Sequence, residues 1–131
     1  WVESHSFFSE LIDFLKRMVP QERLYIASLK DALSIKILLE SRDISMPLGK
    51  IFDFERTESK IAALQEICAI EQRSAESIAY VDDNPTHLIS PHQSGFSAYQ
   101  SAWGAVGAEE IRWSLDKGIR TLHLWQLQDW T

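Results

Sequence analysis

Ile78-Ala79-Tyr80-Val81-Asp82-Asp83-Asn84-Pro85 decides how this chain is read, because a short apolar run stops abruptly at two adjacent carboxylates. Such a run, bounded by turn formers, predicts a buried strand over residues 78–81. Two acids at its tip repel one another, and burying either without a partner is costly. A hard, oxygen-seeking cation such as Mg²⁺ is one natural neutraliser. A plain turn is the other reading: Asp83 or Asn84 caps a helix that opens at Pro85, the favoured first helical position.

Working outward, Phe7, Phe8, Leu11, Ile12, Leu15 and Met18 recur at helical spacing, which predicts a helix over residues 6–18 with Ser6 as its cap and Pro20 beyond its end. A continuous apolar run predicts a strand over 24–27, and Ser28 leads from it into a helical pattern through Ala32, Ile35, Leu38 and Leu39. Pro47 and Gly49 break the pattern, and 51–54 is a short strand at best. Thr57 or Ser59 opens a helix carrying Ile61, Leu64 and Ile67. After 78–81 come a short helix from Pro85, a stop at Gly95, a strand over 96–99 and a loop at Gly104 and Gly107. A helix over 108–117, ended by Gly118, and a last strand over 121–127 complete the chain. Short apolar strands alternating with helices imply an α/β fold, a parallel sheet covered by helices on both faces in three layers. Ligands of such sheets bind beyond the carboxyl ends of the strands, where Ser28 and the Asp82-Asp83 pair both stand.

The 131 residues suit one domain. A net charge of −6 with interspersed signs argues against nucleic acid or an anionic membrane surface as partner. Cys68 is the single cysteine, which excludes an internal disulfide or a CxxC motif, and its place beside Ile61, Leu64 and Ile67 makes it a core residue. No apolar run reaches the roughly 18 residues of a membrane span and no signal segment opens the chain, so a cytoplasmic location is expected. His5, His92 and His123 lack metal-ligand spacing, and no phosphate loop, dinucleotide fingerprint or G-x-S-x-G elbow is present. Trp103, Trp113, Trp125 and Trp130 crowd the C-terminal third, where indoles more often close a core or an interface than hold a ligand. An opening at Trp1 rather than Met reads as part of something longer.

Three polar elements now stand in order: Leu24-Tyr25-Ile26-Ala27-Ser28 at a strand end, Glu58-Ser59-Lys60 at a helix start, and Tyr80-Val81-Asp82-Asp83-Asn84-Pro85 at a second strand end. Over about residues 7–104 this order resembles the haloacid dehalogenase (HAD) superfamily. The resemblance implies a three-layer Rossmannoid fold with little or no cap, and a Mg²⁺-dependent phosphatase-type hydrolase acting on a phosphorylated substrate. By the same resemblance Ser28 hydrogen-bonds a phosphate oxygen, Lys60 offsets its charge, and Asp82 with Asp83 holds Mg²⁺. Phosphoryl transfer asks for such groups, because donors, a cation and a metal neutralise charge on the transferring group. Taken alone, Ser28 is equally a helix cap and Lys60 a solvated first-turn residue.

Two departures qualify the resemblance. Family members often carry a second acid where this chain has His87, and imidazole is a poor Mg²⁺ ligand; His87 reads rather as a helix-surface residue. The family's nucleophile is the first Asp of a DxD motif on a strand ahead of the first helix, and the chain begins too late to contain it. The expectation is therefore a single HAD-like domain over 1–131 that lacks its first strand and is inactive as it stands. The alternative is a non-catalytic HAD-like binding or assembly module. A third possibility is an unrelated receiver-like domain, which expects its acidic pair at the first strand. Asp53-Phe54-Glu55-Arg56-Thr57 imitates the nucleophile motif but lies between the second and third motifs and reads as structural. A missing central strand predicts that strands 24–27 and 78–81 are not bonded to each other. The slot between them would take an upstream stretch, a partner chain or the C-terminal strand around 122–124.

Overall fold

The computed structural model describes residues 9–28, 30–103 and 106–130. Its elements alternate from the start. Helix α1 (Ser9–Met18) leads to strand β1 (Ile26–Ala27) and helix α2 (Ala32–Glu40), then to strand β2 (Ile51–Phe52) and helix α3 (Lys60–Glu71). Strand β3 (Ala79–Asp82), helix α4 (Ile89–Gln93), strand β4 (Ser97–Ser101), helix α5 (Ala108–Asp116) and strand β5 (Arg120–Leu122) follow. The expected cap Ser6 lies outside the described residues.

Helix boundaries follow local chemistry. Asp31 caps α2 by accepting the Ser34 amide at 3.0 Å, and Ser59 caps α3 by accepting the Ala62 amide at 3.1 Å. Ser59→Ala is expected to cost about 1 kcal/mol in urea unfolding, the usual worth of such a cap. Gly95 and Gly118 adopt φ of +92° and +81°, the left-handed conformation that ends α4 and α5 without a Cβ penalty.

The parallel α/β character holds, but the single sheet expected from the sequence is two. Strand β1 pairs with β2 in parallel, while β3, β4 and β5 form a second parallel sheet in that order. Among the described residues β1 and β3 are not bonded to each other, and no strand lies between them. Strand β5 does not enter that slot. Leu122 sits opposite Ser101 on the far side of β4, and the Ala102 amide donates to the Leu122 carbonyl at 2.9 Å. The chain then turns into a 3-10 helix (Leu124–Asp129) instead of continuing the strand expected over 121–127. Strand β1 is likewise shorter than expected, since β2 offers only two residues to pair with before Asp53 turns the chain.

Strand alternation divides the apolar residues between two sides. Ile26, Ile51 and Leu122 join a cluster with Leu11, Phe14 and Leu15 of α1 and Ile35 and Leu39 of α2, against which Val81 and Tyr99 also pack. The opposite residues face α3: Phe52 meets Ala63 and Ile67, while Tyr80 and Ala98 meet Leu64, Leu88 and Ile119. Cys68 is half-buried at the margin of the second group and not in its centre, and burial pushes its thiol pKa up. The indoles differ: Trp103 is buried in the first cluster, Trp130 packs edge-on against Tyr99, and Trp125 is exposed. Among the described residues no helix is long and apolar enough to cross a membrane.

Candidate functional site

Strand β3 delivers Asp82 to its carboxyl end with a side chain only 10% exposed. Asp82 Oδ1 accepts the Asn84 amide at 2.9 Å, and Oδ2 accepts the Tyr80 hydroxyl at 2.5 Å. His87 Nδ1 lies 3.2 Å and Lys60 Nζ 3.9 Å from the same Oδ2. Burial acts to raise the Asp82 pKa, but the Tyr80 hydroxyl, the Asn84 amide and the charges of Lys60 and His87 outweigh it and hold the carboxyl below its ordinary value of 3.8. Tyr80 moves the other way. Burial first, then the Asp82 charge and hydrogen bond, keep its phenol protonated and donating far above the ordinary range.

Lys60, the first residue of α3, is not solvated. Its ammonium donates to the Ala27 carbonyl at the end of β1 at 2.7 Å while facing Asp82 at the end of β3, with the side chain 18% exposed. One cation thus joins the carboxyl ends of the two sheets. Ser28 and Lys60 line one crevice with Asp53, Thr57, Glu58 and Ser59. Its volume of about 20 Å³ suffices for a water molecule, so a larger ligand must sit at its mouth or displace the 54–59 turn. Ser28 continues the β1–β2 ladder through its amide to the Phe52 carbonyl at 2.9 Å, and its Oγ accepts the Lys30 amide at 3.1 Å. The cap of α2 is Asp31, not Ser28.

Asp53 is structural in its contacts. Oδ2 accepts the Ala32 amide at 2.9 Å and Oδ1 the Arg56 amide at 3.0 Å, tying the end of β2 to the start of α2. Asp83 is held through its backbone, its carbonyl accepting Gln100 Nε2 at 2.8 Å. Asn84 caps a 3-10 turn (Pro85–His87) with its side chain, so the turn reading and the buried-acid reading are both realised, on neighbouring residues.

The donor set does not by itself fit Mg²⁺. Such an ion takes about six oxygens at close range, whereas both Asp82 oxygens are occupied by donors. Among the described residues no group of three or more His, Cys, Asp or Glu side chains is placed to hold a metal.

Two members of the site were not assigned from sequence. His87, expected on a helix surface, turns inward to Asp82 because the Asn84-Pro85 turn coils into 3-10 geometry and brings position 87 back over the strand end. From sequence Tyr80 is marked only as a strand residue. Its separation of two from Asp82 was the available signal, since alternate strand residues share a face.

The chain matches no family model, no curated protein and no solved structure.

Proposed function

We propose that the chain is a HAD-like domain of the phosphoryl-transfer type, a three-layer Rossmannoid with little or no cap, in which Lys60 and Ser28 serve a phosphorylated substrate. The observation that carries this reading is the Lys60 ammonium, held between the Ala27 carbonyl and the Asp82 carboxylate where the carboxyl ends of two parallel sheets meet. Such ends are where α/β sheets bind ligands. The separation of β1 and β3 into different sheets is compatible with it, since a single sheet of the HAD type would need one further strand between them.

Catalysis by the HAD route starts from a carboxylate nucleophile. Of the acids lining the crevice, Asp53 is bound to two backbone amides, and Glu58 lies on the exposed turn. The 131-residue chain is accordingly expected to bind phosphate without turning it over. The engagement of Asp82 by Tyr80, Asn84, His87 and Lys60 favours a second reading, a non-catalytic HAD-like binding or assembly module.

Thermal unfolding in rising inorganic phosphate tests the assignment. The midpoint of the wild type should climb with ligand concentration, as linkage requires of any ligand that binds only the native state. Lys60→Met keeps the stem and removes the charge, so its midpoint should stay flat relative to its own baseline. Equal shifts in both proteins would remove Lys60 from the site, and hydrolysis of p-nitrophenyl phosphate by this chain would overturn the non-catalytic reading.

A further inference from the structure

At the amino ends of β1 and β2, away from the phosphate crevice, two chain connections enclose a cleft of about 270 Å³. One wall is the segment leading from α1 into β1, with Val19, Pro20 and Leu24; the other is the segment leading from α2 into β2, with Met46 and Pro47. Hydrogen bonds hold both walls in place. The Lys36 ammonium donates to the Met46 carbonyl at 2.8 Å, and the Glu22 amide closes its own turn on the Val19 carbonyl at 3.0 Å. The Lys50 ammonium then joins wall to wall by donating to the Glu22 carbonyl at 2.6 Å. A preformed, mostly apolar concavity with a few placed polar groups is the usual form of a small-molecule site.

The polar part of the lining identifies the ligand. It consists of Glu22, Ser45 and Lys50. An ammonium carries three N–H donors. One of those on Lys50 serves the Glu22 carbonyl, and a second faces the Tyr25 hydroxyl at 3.5 Å and the Glu71 carboxylate at 3.9 Å, two groups bonded to each other at 2.6 Å. Among the described residues the third has no acceptor, and 23% of the side chain is exposed. Glu22 is exposed beside it, and among the described residues its carboxylate forms no ion pair. A simple anion at this rim would meet the Glu22 charge and a simple cation the Lys50 charge, whereas a zwitterion satisfies both. Size narrows the choice further. The volume equals that of about nine liquid waters, and leucine, with its ammonium and carboxylate on one carbon, has about nine heavy atoms.

We infer that this cleft binds a free α-amino acid with an aliphatic side chain of about leucine's size. Its carboxylate lies on Lys50, its ammonium on Glu22 and Ser45, and its side chain between Val19, Leu24 and Met46. The inference is independent of the phosphate crevice, which stands at the carboxyl ends of the strands.

Isothermal titration of the 131-residue chain with L-leucine tests it. Saturable binding is expected with a Kd at or below about 1 mM, an affinity within reach of so few heavy atoms. Three relatives of the ligand should each bind about tenfold more weakly or worse: 4-methylpentanoate, which lacks the ammonium, leucine amide, which lacks the carboxylate, and glycine, which lacks the side chain. Glu22→Gln keeps the shape of an exposed side chain and should weaken leucine binding about tenfold, since it removes a charge-assisted hydrogen bond. Ser45→Trp fills the cleft from an exposed position and should abolish binding without touching either charge. Circular dichroism checks that both variants are folded. No binding of leucine up to about 10 mM would overturn the inference. Binding that survives Glu22→Gln and Ser45→Trp unchanged would overturn it by placing the ligand elsewhere, and equal affinity for leucine and any of its three relatives would remove the amino acid as the ligand class.

Discussion

Asp82→Asn is expected to destabilise the fold by about 3 kcal/mol, close to the lower end of what breaking a buried ion pair costs. The substitution keeps the size of the side chain and removes its charge, so the Lys60 ammonium loses its carboxylate and the Tyr80 hydroxyl a charged acceptor. The loss is tempered because Lys60 retains the Ala27 carbonyl and an amide oxygen can still accept the Asn84 N–H. In thermal unfolding the midpoint should fall by roughly 10 °C for a domain of this size. The pH dependence has a definite sign. Since the native pKa of Asp82 lies below 3.8, the wild type holds this stabilisation fully above the unfolded value and loses it as pH falls through the native one. Asp82→Asn lacks that acid limb, so the two stability curves should converge in acid and stand furthest apart near neutrality. A constant difference from neutral pH down through the acid range would show that Asp82 acts through packing and not through charge.

The fold was legible wherever period and punctuation agreed. Ile61, Leu64 and Ile67 mark a helical face and Thr57 or Ser59 its start; the structure has that helix, buries Leu64 and Ile67, and makes Ser59 the cap. The last strand is shorter than its sequence pattern implies for a local reason. Leu122-His123-Leu124-Trp125 alternates like a strand, but Gln126 Oε1 accepts the His123 amide at 2.7 Å, and this cap starts a 3-10 helix in its place. A Gln three residues after the turn was the signal for it. The separation into two sheets was not legible as an observation, because nothing in the apolar pattern of 26–27 or 79–82 records which strand lies alongside.

The candidate site divides in the same way. Its acids and Lys60 stood out because charge at a strand end or helix start is conspicuous in sequence. The partners that fix their state are ordinary residues made special by geometry: a tyrosine on the same strand face and a histidine one tight turn away. Gln100 is a third. In Ser97–Ser101 it looks like a solvent-facing strand residue, and only the packing of α5 against the sheet reveals that it is fully buried.

Gln100→Leu should therefore cost about 3 kcal/mol in denaturant unfolding, although it adds a hydrophobic residue of similar volume to the protein interior. Gln100 Nε2 donates to the Asp83 carbonyl at 2.8 Å and to the Ser101 carbonyl at 3.0 Å, while its Oε1 accepts the Ser114 hydroxyl at 2.7 Å. Gln100 and Ser114 are both 0% exposed, so water cannot replace the lost partner, and each stranded polar group costs about 1–3 kcal/mol. Adding Ser114→Ala removes one stranded hydroxyl and should recover roughly 1 kcal/mol, since deleting both partners of a buried hydrogen bond is milder than deleting one. The consequence reaches the site, because the Gln100 amide holds the Asp83 carbonyl in the turn that also presents Asp82. Amide hydrogen exchange at Asn84 should accelerate in Gln100→Leu by more than the change in global stability accounts for, whereas an amide in the body of α2 should follow global stability alone. If Asn84 and α2 quicken by the same factor, Gln100 supports the core and not the turn.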